Sequence, residues 1–305
     1  MTKTESGNIQ QNVKRPFMKK HDYIGWLIML PTLILFAFFV WEPLIESVRL
    51  SLYTAKGFRI QEFVGLRNYR NVLKDPVIFI AFKNTFMYIF WSLIIGYFVP
   101  IMIALFVSET VHWRGFFRIG TYIPNIVPGI ATAFIFKYFF LSSDSGVLNI
   151  LLGKIGIDAV PWINNAHLVI PIIVIGMTWR SAGATALIYI AGISDINPEL
   201  YEAATIDGAG ILKRVRHITF PSIFTLGKTM LILQVIAVFQ IFYEPAVISG
   251  GGPNHASYSI MELVWDYAFK NFNYPGASAI SVLVCIVLII LSGTYMKLTA
   301  SRDKE

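Results

Sequence analysis

Six long apolar stretches, separated by polar segments, set the hydrophobic pattern of this chain. A helix needs roughly 20 consecutive apolar residues to cross the hydrocarbon core of a bilayer. The stretches predict membrane spans at about 24–48, 84–108, 118–141, 167–191, 222–248 and 276–297. The pattern therefore predicts an all-α integral membrane protein, with a transmembrane domain over 23–298 between short tails at 1–22 and 299–305.

A polar segment at residues 194–221 separates the fourth and fifth predicted spans. Asn197 suits a helix N-cap, Pro198 suits the first helical position, and Glu199 is an acid where the helix dipole favours one. Gly208 is typical of the residue that follows a helix C-terminus. A second short, amphipathic helix is expected next. Its apolar side carries Ile211, Leu212, Val215 and Ile218, and its polar side carries Lys213, Arg214, Arg216 and His217.

Proline interrupts most of the six predicted spans. These residues are Pro100 in the second span, Pro124 and Pro128 in the third, Pro171 in the fourth and Pro245 in the fifth. A broken helix survives in lipid where neighbouring helices or a water-filled cavity satisfy the freed backbone groups. So many interruptions favour a bundle that surrounds a pathway over one that only anchors the chain.

Polar side chains are rare at membrane depth. The fourth span carries Trp179, Arg180 and Ser181, and the fifth carries Gln234, Gln240, Tyr243 and Glu244. Helical spacing predicts that the last three share a face. Ionisable groups are costly at that depth, so a functional role is the first hypothesis, and aromatic rings beside Arg, Gln and Glu suit a sugar. The alternative, that Arg180 and Glu244 pair with each other or with backbone groups and only hold the bundle together, stays open.

Composition agrees with the hydrophobic pattern. The chain has 305 residues, of which 55% are hydrophobic and 14% charged, and its mean hydropathy is +0.61. Soluble domains are typically about 45–50% apolar and about 25% charged. The net charge of +7 is therefore attributed to basic flanks beside anionic headgroups, with no nucleic acid as a partner.

The basic flank of the first span predicts the orientation. Lys14, Arg15, Lys19 and Lys20 precede it, and no small-residue cleavage site follows it. An uncleaved first helix with a cytoplasmic N-terminus is expected, and six spans then place the C-terminus in the cytoplasm as well. The predicted location is the plasma membrane of a bacterium.

No motif for chemistry is visible in the sequence. Gly227-Lys228-Thr229 looks like the end of a phosphate-binding loop, but position 222 is Ser222 where that motif requires glycine. One cysteine, Cys285, makes no disulfide framework, and the five histidines lack metal-ligand spacing. We therefore expect no catalytic residue, no metal site and no cofactor, and any ATP must be hydrolysed by another chain.

The polar segment carries a family resemblance. Residues 202–208 (EAATIDG) and 218–221 (ITFP) resemble the EAA loop of ABC importer permeases. Residues 63–69 (FVGLRNY), 81–85 (AFKNT), 249–253 (SGGGP), 267–274 (YAFKNFNY) and 276–281 (GASAIS) resemble the maltose-type, binding-protein-dependent carbohydrate branch. Phe220 stands where a leucine is usual, and Gly210 adds a second glycine near the corner.

The resemblance implies a type I permease with a cytoplasmic coupling loop. It assigns ATPase coupling to Glu202, Ala203, Ala204, Asp207 and Gly208. Two alanines allow close approach to a partner, Glu202 offers a carboxylate, and glycine makes a corner without a side chain. The expected partners are ABC ATPase subunits, a second permease chain that is homologous but different, and an extracytoplasmic sugar-binding protein. The expected function is import of a mono- or oligosaccharide.

Two other classes of function remain as alternatives. A stand-alone channel or secondary transporter would carry solute without any ATPase subunit. A structural or assembly protein would leave the proline-broken spans and the polar face of the fifth span without a purpose. Trp179, Arg180, Gln240, Tyr243 and Glu244 are the candidate pathway residues under the transport hypothesis.

Overall fold

The computed structural model describes residues 20–57, 59–110 and 113–302. Most of the predicted N-terminal tail, with Lys14, Arg15 and Lys19, therefore lies outside the described residues, as does the end of the chain from 303. The chain divides into two compact units, residues 1–49 and 50–305.

The first unit contains the first predicted span. Helix α1 (Lys20–Phe36) continues through a π-helical turn, Ala37–Trp41, into α2 (Glu42–Ser51). Within them, the 28-residue stretch Ile24–Ser51 contains an 18-residue window with a mean hydropathy of 2.2. This stretch is long and apolar enough to cross a membrane.

The second unit begins with a small sheet and a long helix. Strands β1 (Tyr53–Lys56) and β2 (Arg59–Phe63) pair antiparallel and are followed by α3 (Arg67–Val72). Helix α4 (Pro76–Trp91), a π-helical segment (Ser92–Gly96) and α5 (Phe98–Glu109) then form the second span. This span begins at Asp75, whose side chain caps α4 by accepting a hydrogen bond from the Val77 backbone N–H at 2.9 Å.

The third span is two helices rather than one. Helix α6 (Arg114–Ile126) and α7 (Gly129–Phe139) meet at an angle of 91°. Val127 is extended there (φ −65°, ψ 130°), because the residue before a proline is pushed out of the helical region. The described residues thus contain five helices able to cross a membrane, or six when this bent pair counts as one. The predicted third span, about 118–141, thus corresponds to this bent pair, and the break lies at one of the prolines that interrupt the span.

Helix α9 (Val169–Ser194), which follows the short α8 (Val147–Gly153), is the most buried of the candidate spans. Its side chains contribute to two of the three hydrophobic clusters of the second unit. Gly183 lies directly against the Thr121 carbonyl of α6, and Gly176 packs on the Phe136 ring. Small residues allow this close approach of helices, so α9 forms the centre of the bundle.

The fifth span begins earlier and ends earlier than the sequence predicts. After α10 (Pro198–Ile206), the basic segment forms α11 (Ile211–Arg214) and a π-helical turn (Val215–Thr219) that run without a break into α12 (Phe220–Phe239). The predicted separate amphipathic helix is thus the base of the span. The span stops before Gln240, and α13 (Tyr243–Ile248) is a separate helix.

The remaining elements are α14 (Ile260–Trp265), a π-helical segment (Asp266–Lys270) and α15 (Tyr274–Arg302). The glycine-rich loop before α14 is fastened to α4. The Asn84 amide donates to the His255 and Tyr258 carbonyls at 2.6 and 3.0 Å, and the Tyr88 hydroxyl donates to the Ser257 carbonyl at 2.8 Å. These bonds hold one end of the second span against the segment between the last two spans.

Candidate functional site

Helix α10 is well capped at its N-terminus. The Asn197 side chain accepts a hydrogen bond from the Glu199 backbone N–H at 3.0 Å, and Pro198 occupies the first turn. Both features satisfy or remove donors that a helix N-terminus otherwise leaves unpaired. The predicted start of this helix is confirmed.

Gly208 forms the corner at the other end of α10. Its backbone N–H bonds the Thr205 carbonyl at 3.0 Å, and the Ala209 N–H bonds the Ala204 carbonyl at 2.8 Å, which is the Schellman pattern. The φ of Gly208 is +72°, while no atom lies within 4 Å of the place where a side chain would begin. Glycine is therefore required by the backbone conformation and not by lack of room.

The outer surface of α10 is available to a partner. Glu202, Ala203 and Asp207 are exposed, and Ala204 is half-buried. Large apolar side chains accompany them: Leu200 (51% exposed), Ile206 (87%) and Leu212 (85%). Exposed apolar residues in a group mark an interaction surface. We call Glu202, Ala203, Ala204, Asp207 and Gly208 the coupling site.

The inner surface of α10 is fixed to the base of the fifth span. The Tyr201 hydroxyl shares a 2.9 Å hydrogen bond with the Thr219 hydroxyl, and Thr219 is buried in the π-helical turn. The coupling site is thus presented on a helix whose back is bonded to a predicted span.

A cavity of about 450 Å³ lies between the fourth and fifth spans. Its polar lining residues are Ser92, Thr178, Arg180, Ser181, Thr185, Gln234, Gln240, Tyr243 and Glu244. Four of the five predicted pathway residues are among them. Trp179 is not, because it points to α7, where its ring packs on Phe136 at 5.8 Å between centroids. Consecutive helical residues project about 100° apart, so Trp179 and Arg180 face different surroundings.

Gln240, Tyr243 and Glu244 reach the cavity by a different route from the one predicted. The helix ends at Phe239, so the three do not share the face of one continuous helix. They meet because the chain breaks between α12 and α13 and turns these side chains to the same space. Irregular backbone at membrane depth is tolerated where it lines a cavity.

Arg180 and Glu244 form no ion pair with each other among the described residues. Arg180 donates to the Val127 carbonyl at 3.3 Å and to the Tyr243 hydroxyl at 3.4 Å. The Glu244 Oε2 atom is buried without a hydrogen-bond partner in the described part of the chain. Arg180 and Glu244 therefore do not pair with each other, but Arg180 does bond the backbone, as the structural alternative allowed, and Glu244 retains an acceptor that a ligand hydroxyl could use.

Sequence reasoning missed the contribution of Ser92 on the second span, and of Thr178 and Thr185 on the fourth, to this cavity. Ser92 accepts a 2.5 Å hydrogen bond from the Gln234 amide, and Thr178 and Thr185 also line the space. Ser92 opens a π-helical segment, a feature common at functional sites. Gly96 makes room, because a Cβ there would lie 2.8 Å from the Gln234 nitrogen.

Metal and cofactor ligands do not cluster in the described residues. No group of three or more His, Cys, Asp or Glu side chains there could hold a metal ion. The arrangement of the described residues offers binding surfaces and a cavity lined by hydroxyl, amide and charged groups.

Comparison with known proteins places these features in a family. Residues 96–302 match the model of the binding-protein-dependent transport system inner membrane component. The chain is 31% identical to the trehalose/maltose transport system permease protein MalF of Thermococcus litoralis, over 96% of this chain and 99% of that protein. It is 30% identical to the arabinooligosaccharides transport system permease protein AraP of Bacillus subtilis, over 92% and 90%.

Solved structures share the fold. A chain of a bacterial ABC transporter involved in the import of the acidic polysaccharide alginate superposes with a TM-score of 0.81 at 24% identity, covering 92% of this chain and 96% of that one. A chain of the bacterial alginate ABC transporter in complex with an alginate pentasaccharide-bound periplasmic protein gives 0.79 at 25% identity, covering 90% and 93%.

Proposed function

Since this chain belongs to the family of inner membrane components of binding-protein-dependent transport systems, we propose that it is the permease subunit of an ATP-driven carbohydrate importer. The relatives named for trehalose/maltose and arabinooligosaccharide transport support a sugar as the cargo. The single observation that carries the proposal is the match to this family over residues 96–302, which include the coupling site and every polar lining residue of the cavity except Ser92.

The coupling site is proposed to receive the ATPase subunit. Ala203 and Ala204 allow close backbone approach, Glu202 supplies a carboxylate, and Ile206 supplies an exposed apolar contact. The family resemblance assigns ATP hydrolysis to a separate subunit, and the sequence of this chain shows no nucleotide-binding motif of its own.

The membrane cavity is proposed to hold the sugar during passage. Its volume of about 450 Å³ lies within the roughly 300–1,000 Å³ usual for small-molecule sites. Gln234, Gln240 and Glu244 can accept or donate hydrogen bonds to hydroxyl groups, and Tyr243 adds a ring. Trp179 is left out of this proposed site, because it packs on Phe136 outside the cavity lining.

The proposed assembly contains a second, homologous permease chain, ABC ATPase subunits and an extracytoplasmic sugar-binding protein. The family description itself names dependence on a binding protein. The proposed orientation places both termini and the coupling site in the cytoplasm of a bacterial cell, with the binding protein docking on the opposite side. This orientation follows the basic flank before the first span.

Substitutions in the coupling site test the proposal. Glu202→Lys and Gly208→Asp should each uncouple sugar uptake from ATP hydrolysis while the subunit still inserts and assembles. A non-glycine residue at φ +72° is strained, and reversing the charge of Glu202 repels a basic partner group. Uptake and ATPase activity are measured together in proteoliposomes containing the whole complex.

Gly210→Asp is the matched control for Gly208→Asp. Gly210 has φ −69° and is the N-cap of α11, a position where aspartate is favoured. Gly210→Asp should therefore leave sugar uptake near the wild-type rate. Wild-type uptake in the Gly208→Asp and Glu202→Lys variants would contradict the coupling role, and uptake by this chain without an ATPase would indicate a channel or secondary transporter instead.

A further inference from the structure

One arginine joins the second span to the fifth at the end of the bundle that carries the coupling site. Arg214 Nη2 lies 2.9 Å from Glu109 Oε2, across 105 residues of sequence. Glu109 is the last residue of α5, and Arg214 lies in the first turn of the helix that continues as the fifth span. The ion pair therefore connects the ends of two spans.

The same guanidinium also contacts the coupling helix. Arg214 Nη1 donates a hydrogen bond to Thr205 Oγ1 in α10 at 3.2 Å. Thr205 lies between Ala204 and Ile206, on the helix that carries the coupling site. Arginine can serve both partners at once because its donors form a rigid, planar fork. Three elements thus meet at one side chain.

The surroundings strengthen this ion pair. The side chains of Arg214 and Glu109 are only 21% and 24% exposed, and Arg214 Nε is fully buried. Charges that are partly removed from water interact more strongly and are screened less by salt than a pair on the open surface. By contrast, the more exposed pair of Arg49 and Glu46 spans a single helical turn and joins no separate elements.

The two spans joined by this pair also line the membrane cavity. The second span contributes Ser92, the fifth contributes Gln234, and these two side chains are hydrogen-bonded at 2.5 Å. The second and fifth spans are therefore linked beside the coupling helix and at the cavity, and also through the Tyr97 hydroxyl, which donates to the Gly227 carbonyl at 3.0 Å. A displacement of α10 acts on both helices through Arg214.

We propose that Arg214, paired with Glu109, is the positioning residue that makes the coupling helix and the bases of the second and fifth spans move as one body. The inference rests on the proposed importer function and adds to it the side chain through which motion of the coupling site reaches the cavity. Without the pair, an ATPase can still dock on α10, which stays bonded to the fifth span through Tyr201, but the direct link to the base of the second span is lost.

The test measures sugar taken up per ATP hydrolysed in proteoliposomes that hold the complete transporter. Arg214→Ala and Glu109→Gln should each lower this ratio at least about fivefold, within the range usual for coupling between sites. The combined variant should lose no more than Arg214→Ala alone, since that substitution already removes the ion pair together with the bond to Thr205. Arg216→Ala is the matched control, because Arg216 is exposed and has no ion pair or hydrogen bond among the described residues.

The outcomes separate this inference from the proposed function. One outcome is that the wild-type complex is coupled and that Arg214→Ala and Glu109→Gln keep its ratio of sugar taken up per ATP hydrolysed. That result would overturn the positioning role and leave the importer function standing. Additive losses in the combined variant, or an equal loss in Arg216→Ala, would overturn it as well. If the wild-type complex took up no sugar with ATP, both proposals would fail. A purely structural pair would lower the yield or thermal stability of the complex and not the ratio.

Discussion

At the scale of single residues, the coupling site and the cavity depend on different properties. Gly208 matters for its backbone conformation, since φ +72° is strained for any residue with a Cβ. Glu244 matters for an oxygen that is buried and unpaired among the described residues. An unpaired buried acceptor costs about 1–3 kcal/mol, a cost that a bound hydroxyl group would relieve.

Glu244→Gln should therefore weaken sugar binding during transport. A hydrogen bond to a charged group contributes about 1.5–3 kcal/mol, so KM for uptake should rise about tenfold or more. Uptake is measured over a range of concentrations of sugar-loaded binding protein. Trp179→Phe is the comparison, because it preserves the ring packing on Phe136 outside the cavity and should leave KM unchanged. An equal rise in both variants would contradict the assignment of the cavity.

At the scale of elements, the bundle is held by close helix crossings and by two breaks. The crossing of α6 and α9 requires Gly183, which touches the Thr121 carbonyl. The breaks lie at Val127-Pro128 and at Gln240, and both border the cavity region. Breaks at these places let backbone and side chains turn toward the space between the helices.

Gly183→Ala should destabilise the protein by pushing these two helices apart. An added Cβ would overlap the carbonyl oxygen of Thr121, and overpacking of this kind costs about 1–3 kcal/mol or more. The melting temperature of the purified complex measures the effect. Gly120→Ala is the control. Gly120 precedes Thr121 in α6, and a Cβ added there would have no atom within 4 Å, so this variant should change the melting temperature little. A similar loss in both would contradict a tight crossing at Gly183.

The sequence predicted these elements unevenly, for physical reasons. The cap at Asn197 and the corner at Gly208 are local signals, and both are confirmed. Proline at position 128 indicated a break, but the 91° angle depends on how α6 and α7 pack, which no local pattern encodes. The start of the fifth span was misplaced because its basic first turns were predicted to be a separate amphipathic helix, although they continue into the span as one helix.

The lining of the cavity was also only partly predictable from the sequence. Its polar residues on the fourth and fifth spans stood out because they are rare in apolar helices. Ser92 on the second span did not, since one serine among aromatic residues is common in a membrane helix. Contacts between distant parts of the chain, such as those of Ser92 with Gln234 and Arg214 with Glu109, become visible only in three dimensions.

At the scale of the whole molecule, the unit formed by residues 50–305 combines two separate functional features. One is an exposed, rigidly capped helix that offers a docking surface. The other is a polar cavity between spans. Hydrogen bonds of Tyr201, Thr219 and Arg214 connect the docking helix α10 to the spans that line the cavity. This arrangement suits a subunit that uses work done by a partner to carry a solute.

The most direct test of this account is uptake of labelled sugar into proteoliposomes containing the chain, its second permease and the ATPase subunits. Uptake should require ATP on the side of the coupling site and sugar-loaded binding protein on the other. Omission of any one component, or Gly208→Asp in this chain, should reduce uptake to the level of empty vesicles. Uptake that proceeds equally well without ATP or without the ATPase subunits would contradict the account.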